Sequence, residues 1–444
     1  MKKTINMTTG VIWKRLLFFA VPLILGDMLQ QLYNTVDSVI VGRFVGKQAL
    51  AAVSSTSCIV NIFVGLFSGI GAGATIAIAR YFGSDDRDMV QKAVHTTVTL
   101  SLVLGAAITA VGWLGTPLML RVMSTPEDVF PEAVTYLRIY FAGISGLVVY
   151  NMGSGILRAV GDSRRPLICL AVCSVLNMGL DVLLVIGLGL GVAGAAAATI
   201  AAQFLSAGLL FFFLTRKDTV YCLHLHRLGM DAGILRSIID IGLPIGVQKS
   251  LISLSNTMVV SRINYFGSSA AAAWGVYRKL DQVVTNITQN MSVAVSTFTS
   301  QNIGAGKTDR VKGGARAGYF ISISVAALLD LLMLLFRKPL ISLFILDSEV
   351  QFYGSVIFCT ILPWQFLTSI VNVQGGVLRG QGDSRGPMLI MLLSYIAVRQ
   401  AYLFIGWHWI RSLAFIASCY PFAWISAVLM LTVYRRRRTS GSAG

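Results

Sequence analysis

Long apolar runs, separated by short polar segments, follow one another along the whole chain. Each of twelve runs holds about 20 residues or more, the length that a helix needs to cross a ~30 Å hydrocarbon core. They lie at 16–41, 54–79, 90–115, 134–157, 167–190, 193–214, 238–263, 271–298, 314–335, 352–377, 388–408 and 411–434. Because the runs lack the alternation of barrel strands, the pattern predicts an all-α polytopic membrane protein with twelve transmembrane helices.

Composition and charge agree with this class. Of the 444 residues, 12% are charged, about half of the ~25% that is usual in soluble proteins. The net charge of +17 could suggest a nucleic-acid partner, but its distribution argues against one. With the N-terminus in the cytoplasm, 24 Lys and Arg residues fall in inner segments and six in outer loops. This bias predicts a multi-pass protein of the plasma (inner) membrane with both termini cytoplasmic.

The sequence is also duplicated. LRAVGDSRRP at 157–166 returns as LRGQGDSRGP at 378–387, at an offset of 221 that also relates Gly83 to Gly304. The glycine of each GDSR loop is expected to permit a tight cytoplasmic turn. The duplication predicts two six-helix lobes related by a pseudo-two-fold axis along the membrane normal. The expected parts are an N-terminal lobe (1–214), a cytoplasmic linker (215–237), a C-terminal lobe (238–434) and a basic cytoplasmic tail (435–444).

The two halves differ in their intramembrane acids. Asp37 in the first span and Asp181 in the fifth correspond at the same offset to Met258 and Tyr402. An ionised carboxylate in hydrocarbon costs at least ~2.5–3.5 kcal/mol, so it survives where it faces a cavity, is protonated or binds a cation. Asn177, one helical turn before Asp181, could supply a further oxygen. We therefore predict an ion-coupling site rather than a static hydrogen-bond network.

Other polar residues of the first half are expected to lie near these acids. On the first span, Asp27, Gln30, Asn34 and Asp37 recur every three or four residues, as on one inward-facing helix face. The candidate substrate-cavity residues are Gln30, Tyr33, Asn34, Tyr150, Ser154 and Gln203. Pro22 removes a helix hydrogen bond and is a candidate hinge, unless it simply starts the first helix.

The second half instead carries bases in or near its spans. These are Lys249, Arg262, Arg278, Lys279 and Arg399. Arg278 is expected to pair with Asp281, three residues later, whereas Asp330 stands alone in the ninth span. The sequence assigns no role to Asp27 and Asp330, or to the basic residues Lys249, Arg278 and Arg399.

The chain resembles the multidrug and toxic compound extrusion (MATE) transporters, most closely their DinF-like prokaryotic branch. The likeness covers about residues 10–435, and its most specific parts are the repeated LRxxGDSRxP loops, QNIGAGKTDR at 301–310 and YNTVDSVIVGRFVG at 33–46. It implies a V-shaped pair of lobes around a central cavity, alternating access, and export of organic cations driven by inward Na⁺ or H⁺ flow.

The resemblance also implies positions for the coupling site. In the DinF-like branch this site lies in the N-terminal lobe, and Pro22 matches a first-span proline whose bending is proposed to follow protonation. The positions that match the H⁺ or Na⁺ site are Asp37, Asn177, Asp181 and Thr199, with Asn151 nearby. Another branch carries acids in the seventh and tenth spans, but the tenth span here has Asn372 and Gln374.

We therefore expect a secondary antiporter, not an enzyme, that exports small organic, cationic and amphipathic compounds in exchange for H⁺ or Na⁺. It would act as a monomer among membrane lipids and need no cofactor besides its coupling ion. The alternative is a flippase or exporter of lipid-linked substrates of the same superfamily, which the bases of the second half favour. A non-transporting membrane sensor is less favoured, because the sequence offers no soluble effector domain.

Overall fold

The computed structural model describes residues 6–123, 125–216 and 219–441, and every regular element within these ranges is helical. The α-helices are α1 (Ile12–Ile40), α2 (Lys47–Gly83), α3 (Arg87–Val122), α4 (Phe130–Ala159), α5 (Arg164–Asp181), α6 (Gly191–Leu214), α7 (Ala232–Ile263), α8 (Ser268–Gly304), α9 (Thr308–Leu335), α10 (Arg337–Ser342), α11 (Ser348–Ile361), α12 (Phe366–Gly380), α13 (Arg385–Leu392), α14 (Arg399–Gly406) and α15 (Leu413–Gly441). Turns of π-helix follow α1, α5 and α13 at Val41–Val45, Val182–Gly187 and Leu393–Val398. Turns of 3₁₀-helix lie at Leu225–Arg227, Asn264–Phe266 and Leu362–Trp364.

Helices coincide with all twelve predicted spans. Among the described residues, ten helical segments are long and apolar enough to cross a membrane. An eleventh is the pair α11 and α12, which is bent by 44°. The remaining span, α8, has 37 residues but is too polar to meet the same test. Polar residues are tolerated at membrane depth where protein covers them, and α8 packs against α9, α11 and α12.

The chain divides into two compact units, each with its own core. Residues 21–247 form the first unit, and residues 7–20 join those from 248 onwards in the second. The main core of the first unit is built around α2, α3 and α4, with side chains such as Phe67 and Phe141. That of the second unit is built around α8, α11 and α15, with side chains such as Phe358.

Polar contacts explain why the N-terminal segment belongs to the second unit. The backbone N–H of Met7 donates to Gln301 Oε1 at 3.1 Å. Its carbonyl oxygen accepts from Asn302 Nδ2 and Arg310 Nη2, each at 3.2 Å. These partners all come from the QNIGAGKTDR segment at 301–310. This motif therefore anchors the start of the chain to the ends of α8 and α9.

The two GDSR loops have the same local structure. Gly161 and Gly382 have φ values of +85° and +90°, in the left-handed region that favours glycine. Asp162 and Asp383 each accept a hydrogen bond from a backbone N–H three residues later, at 3.1 and 3.0 Å. The carboxylate therefore caps the start of the following helix, and the expected tight turn is confirmed.

The segments predicted as linker and tail are partly helical. α7 already begins at Ala232, before the expected end of the linker at 237. Ahead of it, Tyr221, Cys222 and Leu223 are buried, so this part of the linker packs against the first unit. α15 continues to Gly441, which makes 435–441 an extension of the last span, and the final three residues lie outside the described part.

Candidate ion-coupling site

Asp37 and Asp181 lie together in the first unit. Asp37 is in the last turn of α1, and Asp181 is the last residue of α5. Their carboxyl groups are within hydrogen-bonding reach of each other. Asp181 is fully buried, and no N–H or O–H group of the described residues donates to either of its oxygens. The two acids that the sequence analysis singled out therefore form a pair.

The local backbone explains how the pair is positioned. A π-helical turn begins directly after Asp181, at Val182, and another follows Asp37 at Val41. Such turns interrupt regular helices and are frequent at functional sites. Ile40, Val41 and Val185 form a buried apolar cluster at this end of α1 and α5. The acid pair thus lies beside apolar side chains that exclude water.

Asn177 extends the polar site along α5. It is 1% exposed, and neither its amide nitrogen nor its amide oxygen has a protein partner among the described residues. Leaving a buried polar group unpaired costs about 1–3 kcal/mol. A transported species that bonds to this amide would offset that cost.

A small space, with room for about one water molecule, lies next to Asn177 between α1, α5 and α6. The residues that line it are Tyr33, Leu170, Cys173, Ser174, Asn177, Thr199, Ala202, Gln203 and Ser206. The lining is mixed, with hydroxyl and amide groups beside apolar side chains. Polar groups of several helices therefore converge on one point next to Asn177.

The predicted residues Thr199 and Asn151 both bond to their own helices. Thr199 Oγ1 donates to the Ala195 carbonyl oxygen at 3.0 Å, and Asn151 Nδ2 donates to the Leu147 carbonyl oxygen at 2.9 Å. Each keeps an oxygen that can accept from, or coordinate, a bound species. Thr199 lines the space next to Asn177, whereas Asn151 does not.

The other predicted cavity residues divide in the same way. Tyr33 and Gln203 line the space; Gln30, Asn34, Tyr150 and Ser154 do not. The Gln30 side chain lies beside that of Tyr33. Tyr150 OH donates to the Pro166 carbonyl oxygen at 3.2 Å, and Ser154 is 1% exposed.

Two expectations for the first span need correction. Asn34 is exposed, so the four polar residues of α1 do not form one inward-facing stripe. Asp27, another member of this set, interacts electrostatically with Arg158. Pro22 does not start the helix, because α1 begins at Ile12 and continues through it. An interior proline removes one helix hydrogen bond and permits a bend.

Sequence reasoning missed two tyrosines of α4. The charges of Asp37 and Asp181 both act on Tyr136. The rings of Tyr136 and Tyr140 are stacked with centroids 6.1 Å apart. Tyr140 also interacts electrostatically with Tyr33. The available signal was the placement of two hydroxyl-bearing rings one helical turn apart within an apolar run.

The second unit holds no copy of the acid pair. The Arg278–Asp281 pair predicted there is confirmed, with Nη1 and Oδ2 3.0 Å apart, and Gln365 Nε2 donates to the other Asp281 oxygen at 2.6 Å. Asp330 is 5% exposed and accepts from no donor among the described residues. Its charge interacts with that of Asp281, but no carboxyl group lies within hydrogen-bonding reach of it.

The ligand chemistry of the site follows from this geometry. Within the described ranges, no three His, Cys, Asp or Glu side chains come together. The first unit would therefore hold an ion with two carboxyl groups and neutral amide or hydroxyl oxygens. These are groups that take up protons or coordinate hard cations.

Comparison with known proteins decides what kind of protein carries this site. The MatE family model matches residues 22–183 and again 244–404, which are corresponding parts of the two repeats. The chain belongs to the MatE family. This MATE protein is therefore a membrane transporter of the multidrug-efflux type and not an enzyme, and the resemblance seen in the sequence is confirmed.

Several bacterial relatives cover nearly the same length. YoeA of Bacillus subtilis, a probable multidrug resistance protein, is 28% identical over 433 residues, 95% of this chain and 93% of that protein. YpnP of the same organism, also a probable multidrug resistance protein, is 30% identical over 410 residues, 91% of each chain. A protein of Shewanella oneidensis named FAD transporter is 26% identical over 375 residues, 82% of each.

Solved MATE structures share the fold. An outward-facing multidrug resistance MATE family transporter superposes with a TM-score of 0.91 at 23% identity, over 99% of both chains. A MATE structure in the straight conformation gives a TM-score of 0.92 at 22% identity, over the full length of both. MATE transporters have twelve helices in two lobes, as the sequence pattern predicts for this chain.

Proposed function

We propose that this MATE protein is a proton-coupled antiporter that exports amphipathic organic cations by alternating access, as in the DinF-like branch of the family. The observation that carries the proposal is the contact between Asp37 and Asp181. A hydrogen bond between two carboxyl groups requires a proton on one of them. The pair is therefore a place where the protein can hold a proton within the membrane.

The electrostatics of the pair would provide the coupling. Two carboxylates in contact repel each other, so they share a proton or bind a cation. With one shared proton the pair carries one negative charge, and loss of that proton raises this to two, which strengthens the attraction of a cationic compound to the adjacent space lined by Tyr33 and Gln203. Protonation from outside then weakens that attraction and favours release of the compound. Coupling requires such competition or a difference in affinity between the two conformations.

The direction and setting of transport follow from the topology. The bias of Lys and Arg supports cytoplasmic termini in the plasma membrane. The substrate would enter from the cytoplasm or the inner leaflet and leave outward, while protons move inward. The names of YoeA and YpnP as probable multidrug resistance proteins support organic compounds as cargo. Each chain would work as a monomer.

Sodium is the alternative coupling ion. Asp37 and Asp181 would coordinate it together with the oxygens of Asn177 and Thr199. We place H⁺ first, because two carboxyl groups within hydrogen-bonding reach of each other can share one proton without any further ligand.

Imposed gradients test the proposal. The purified full chain is reconstituted into proteoliposomes, and movement of the fluorescent cation ethidium is followed under a pH gradient and then under a Na⁺ gradient. We expect movement with the pH gradient alone, and none with Asp181→Asn. Movement with Na⁺ alone would overturn the choice of ion but keep the antiporter. No movement of ethidium under either gradient would contradict export of organic cations.

A further inference from the structure

Arg399 lies buried in the second unit among neutral partners. Its Nη1 donates to Asn256 Oδ1 at 2.9 Å and its Nη2 to Ser255 Oγ at 2.6 Å. The guanidinium group lies over the ring of Tyr420, 5.2 Å from the centroid. Arg399 is 2% exposed, and no other Lys or Arg whose side chain is described is buried. A permanent positive charge thus lies in a membrane-spanning segment.

Among the described residues, no acid forms an ion pair with this charge. In the described part of the chain, no carboxylate lies within the 4.0 Å ion-pair distance of Arg399. Asp281, an acid of the same unit, already pairs with Arg278 at 3.0 Å. The guanidinium group stays protonated in proteins, and an unpaired charge inside a membrane is costly and functional by default. A static polar contact to Ser255 and Asn256 would need no charged residue.

The other bases of the second unit have ordinary surroundings. Arg262 is only partly buried and lies over the ring of Trp407. Lys279 is exposed and lies near the ring of Phe344. Lys249 is also exposed. A buried positive charge without an ion-pair partner therefore distinguishes Arg399 from these three bases, and it does not follow from the general excess of positive charge.

The hydrogen bonds orient the Arg399 guanidinium group and leave one of its donors without a partner. Ser255 Oγ donates to the Tyr395 carbonyl oxygen at 2.9 Å, so it accepts from Arg399 and from Gln400 Nε2. Arg399 Nε has no partner among the described residues. A guanidinium group offers its donors as a planar fork that matches a carboxylate or phosphate. The guanidinium group is thus held in one orientation while its Nε–H still lacks an acceptor.

The position of Arg399 mirrors that of the acid pair. At the offset of 221, Tyr420 corresponds to Thr199, and Arg399 corresponds to the neighbour of Asn177. Where α5 and α6 of the first unit present acids and neutral oxygens, α14 and α15 of the second present a base. The second repeat therefore carries a positive charge in the region where the first repeat carries its acids.

We propose that Arg399, oriented by Ser255 and Asn256, binds an anion in the second unit. The anion is either chloride or the carboxylate or phosphate group of a transported compound. This site is separate from the proton site of the first unit and does not depend on it.

Binding can be measured without transport. Chloride, acetate and inorganic phosphate are each titrated into the purified full chain in detergent, with methanesulfonate, which carries no carboxylate or phosphate, keeping the ionic strength constant, and the midpoint of thermal unfolding is recorded. A ligand of the native state raises the midpoint in a saturable way. We expect this for at least one anion, and its loss in Arg399→Gln. The matched control is Arg262→Gln, which removes another ring-stacked arginine of the same unit and should keep the response.

Two results would overturn the proposal. One is a wild-type protein that shows no saturable response to any of the three anions, and this needs no variant to fold. The other is a response that persists in Arg399→Gln. Arg399→Lys keeps the charge and should retain a weaker response, which separates loss of the anion from loss of structure.

Transport then distinguishes the two sources of the anion. In proteoliposomes, ethidium transport by the wild type should fall when chloride is replaced by methanesulfonate if chloride occupies the site. If the anion belongs to the cargo, transport of carboxyfluorescein should require Arg399 while chloride replacement has no effect. If neither result appears, Arg399 has no role in transport as an anion site and the proposal fails.

Discussion

Asp37 of α1 and Asp181 of α5 bring their carboxyl groups into hydrogen-bonding reach of each other, although 144 positions separate them in the chain. Tyr136 of α4 lies within the electrostatic influence of both acids. Tyr140 lies one turn further along α4. It interacts electrostatically with Tyr136 but not with the two acids. Three helices thus meet at one titratable pair, and α4 carries a matched pair of tyrosines at different distances from it.

Removing the Tyr136 hydroxyl should alter proton coupling. Tyr136→Phe removes a hydroxyl group from the surroundings of the acid pair, and the polarity around a carboxyl group affects how readily it takes up a proton. We expect the pH at which ethidium transport is half-maximal to shift while maximal transport is retained. Tyr140→Phe should leave that pH unchanged. An equal shift in both variants would show that the tyrosines act only through packing.

Four glycines form a close helix crossing in the first unit. Gly69 and Gly73 of α2 meet Gly242 and Gly246 of α7, and both pairs have the small-xxx-small spacing of membrane helix contacts. A Cβ on Gly69 would lie 2.2 Å from the backbone nitrogen of Gly246. Only glycine permits this approach, because the obstructing atom is backbone and cannot rotate away.

Gly69→Ala should therefore destabilise the protein. Overpacking of a tight contact typically costs about 1–3 kcal/mol, so the thermal unfolding midpoint in detergent should fall by several degrees. The control is Gly208→Ala in α6, where nothing lies within 4 Å of the new Cβ. A normal midpoint for Gly69→Ala, equal to that of the control, would show that the helices do not cross this closely.

His95 holds the segment between α6 and α7 against α3. Its Nδ1 lies 2.7 Å from the Gln91 carbonyl oxygen, so Nδ1 carries the hydrogen and donates. Nε2 is then the acceptor for the backbone N–H of His224, at 3.1 Å. The neighbouring contact is between the Asp231 N–H and Thr96 Oγ1, also at 3.1 Å.

His95→Ala should loosen this segment. The His224 amide loses its acceptor, so its hydrogen exchange should accelerate about tenfold or more, as expected for loss of a bond worth about 1.5 kcal/mol. His226→Ala, which removes an exposed histidine of the same segment, should leave the exchange of His224 unchanged. Slow exchange at His224 in His95→Ala would mean that other contacts hold the segment.

The sequence predicted the fold well because its main determinants are local. Apolar length, the distribution of Lys and Arg, and the 221-residue offset predict twelve helices in two repeats. The most polar of these spans is α8, which was predicted as the run 271–298 and is present as a helix. The grouping of residues 7–20 with the second unit was not predictable, because it depends on contacts with Gln301 and Arg310 that are distant in the sequence.

The site was predicted in part for a similar reason. Asp37 and Asp181 stood out because their repeat partners are apolar or aromatic, so comparison of the halves revealed them. Tyr136 did not, since a tyrosine in an apolar run looks like core. The prediction that Asn34 faces inward was wrong. The spacing of polar residues predicts which of them share a helix face, but not which neighbouring elements cover that face.

The account assigns the coupling proton to the Asp37–Asp181 pair, and substrate-driven proton movement tests this most directly. Wild type, Asp37→Asn, Asp181→Asn and Asp330→Asn are reconstituted with a pH-sensitive dye inside the vesicles, and an ethidium gradient is imposed without a pH gradient. We predict counter-movement of protons in the wild type and in Asp330→Asn, whose acid has no carboxyl partner, and none in the other two variants. Full proton movement in both Asp37→Asn and Asp181→Asn would contradict the account.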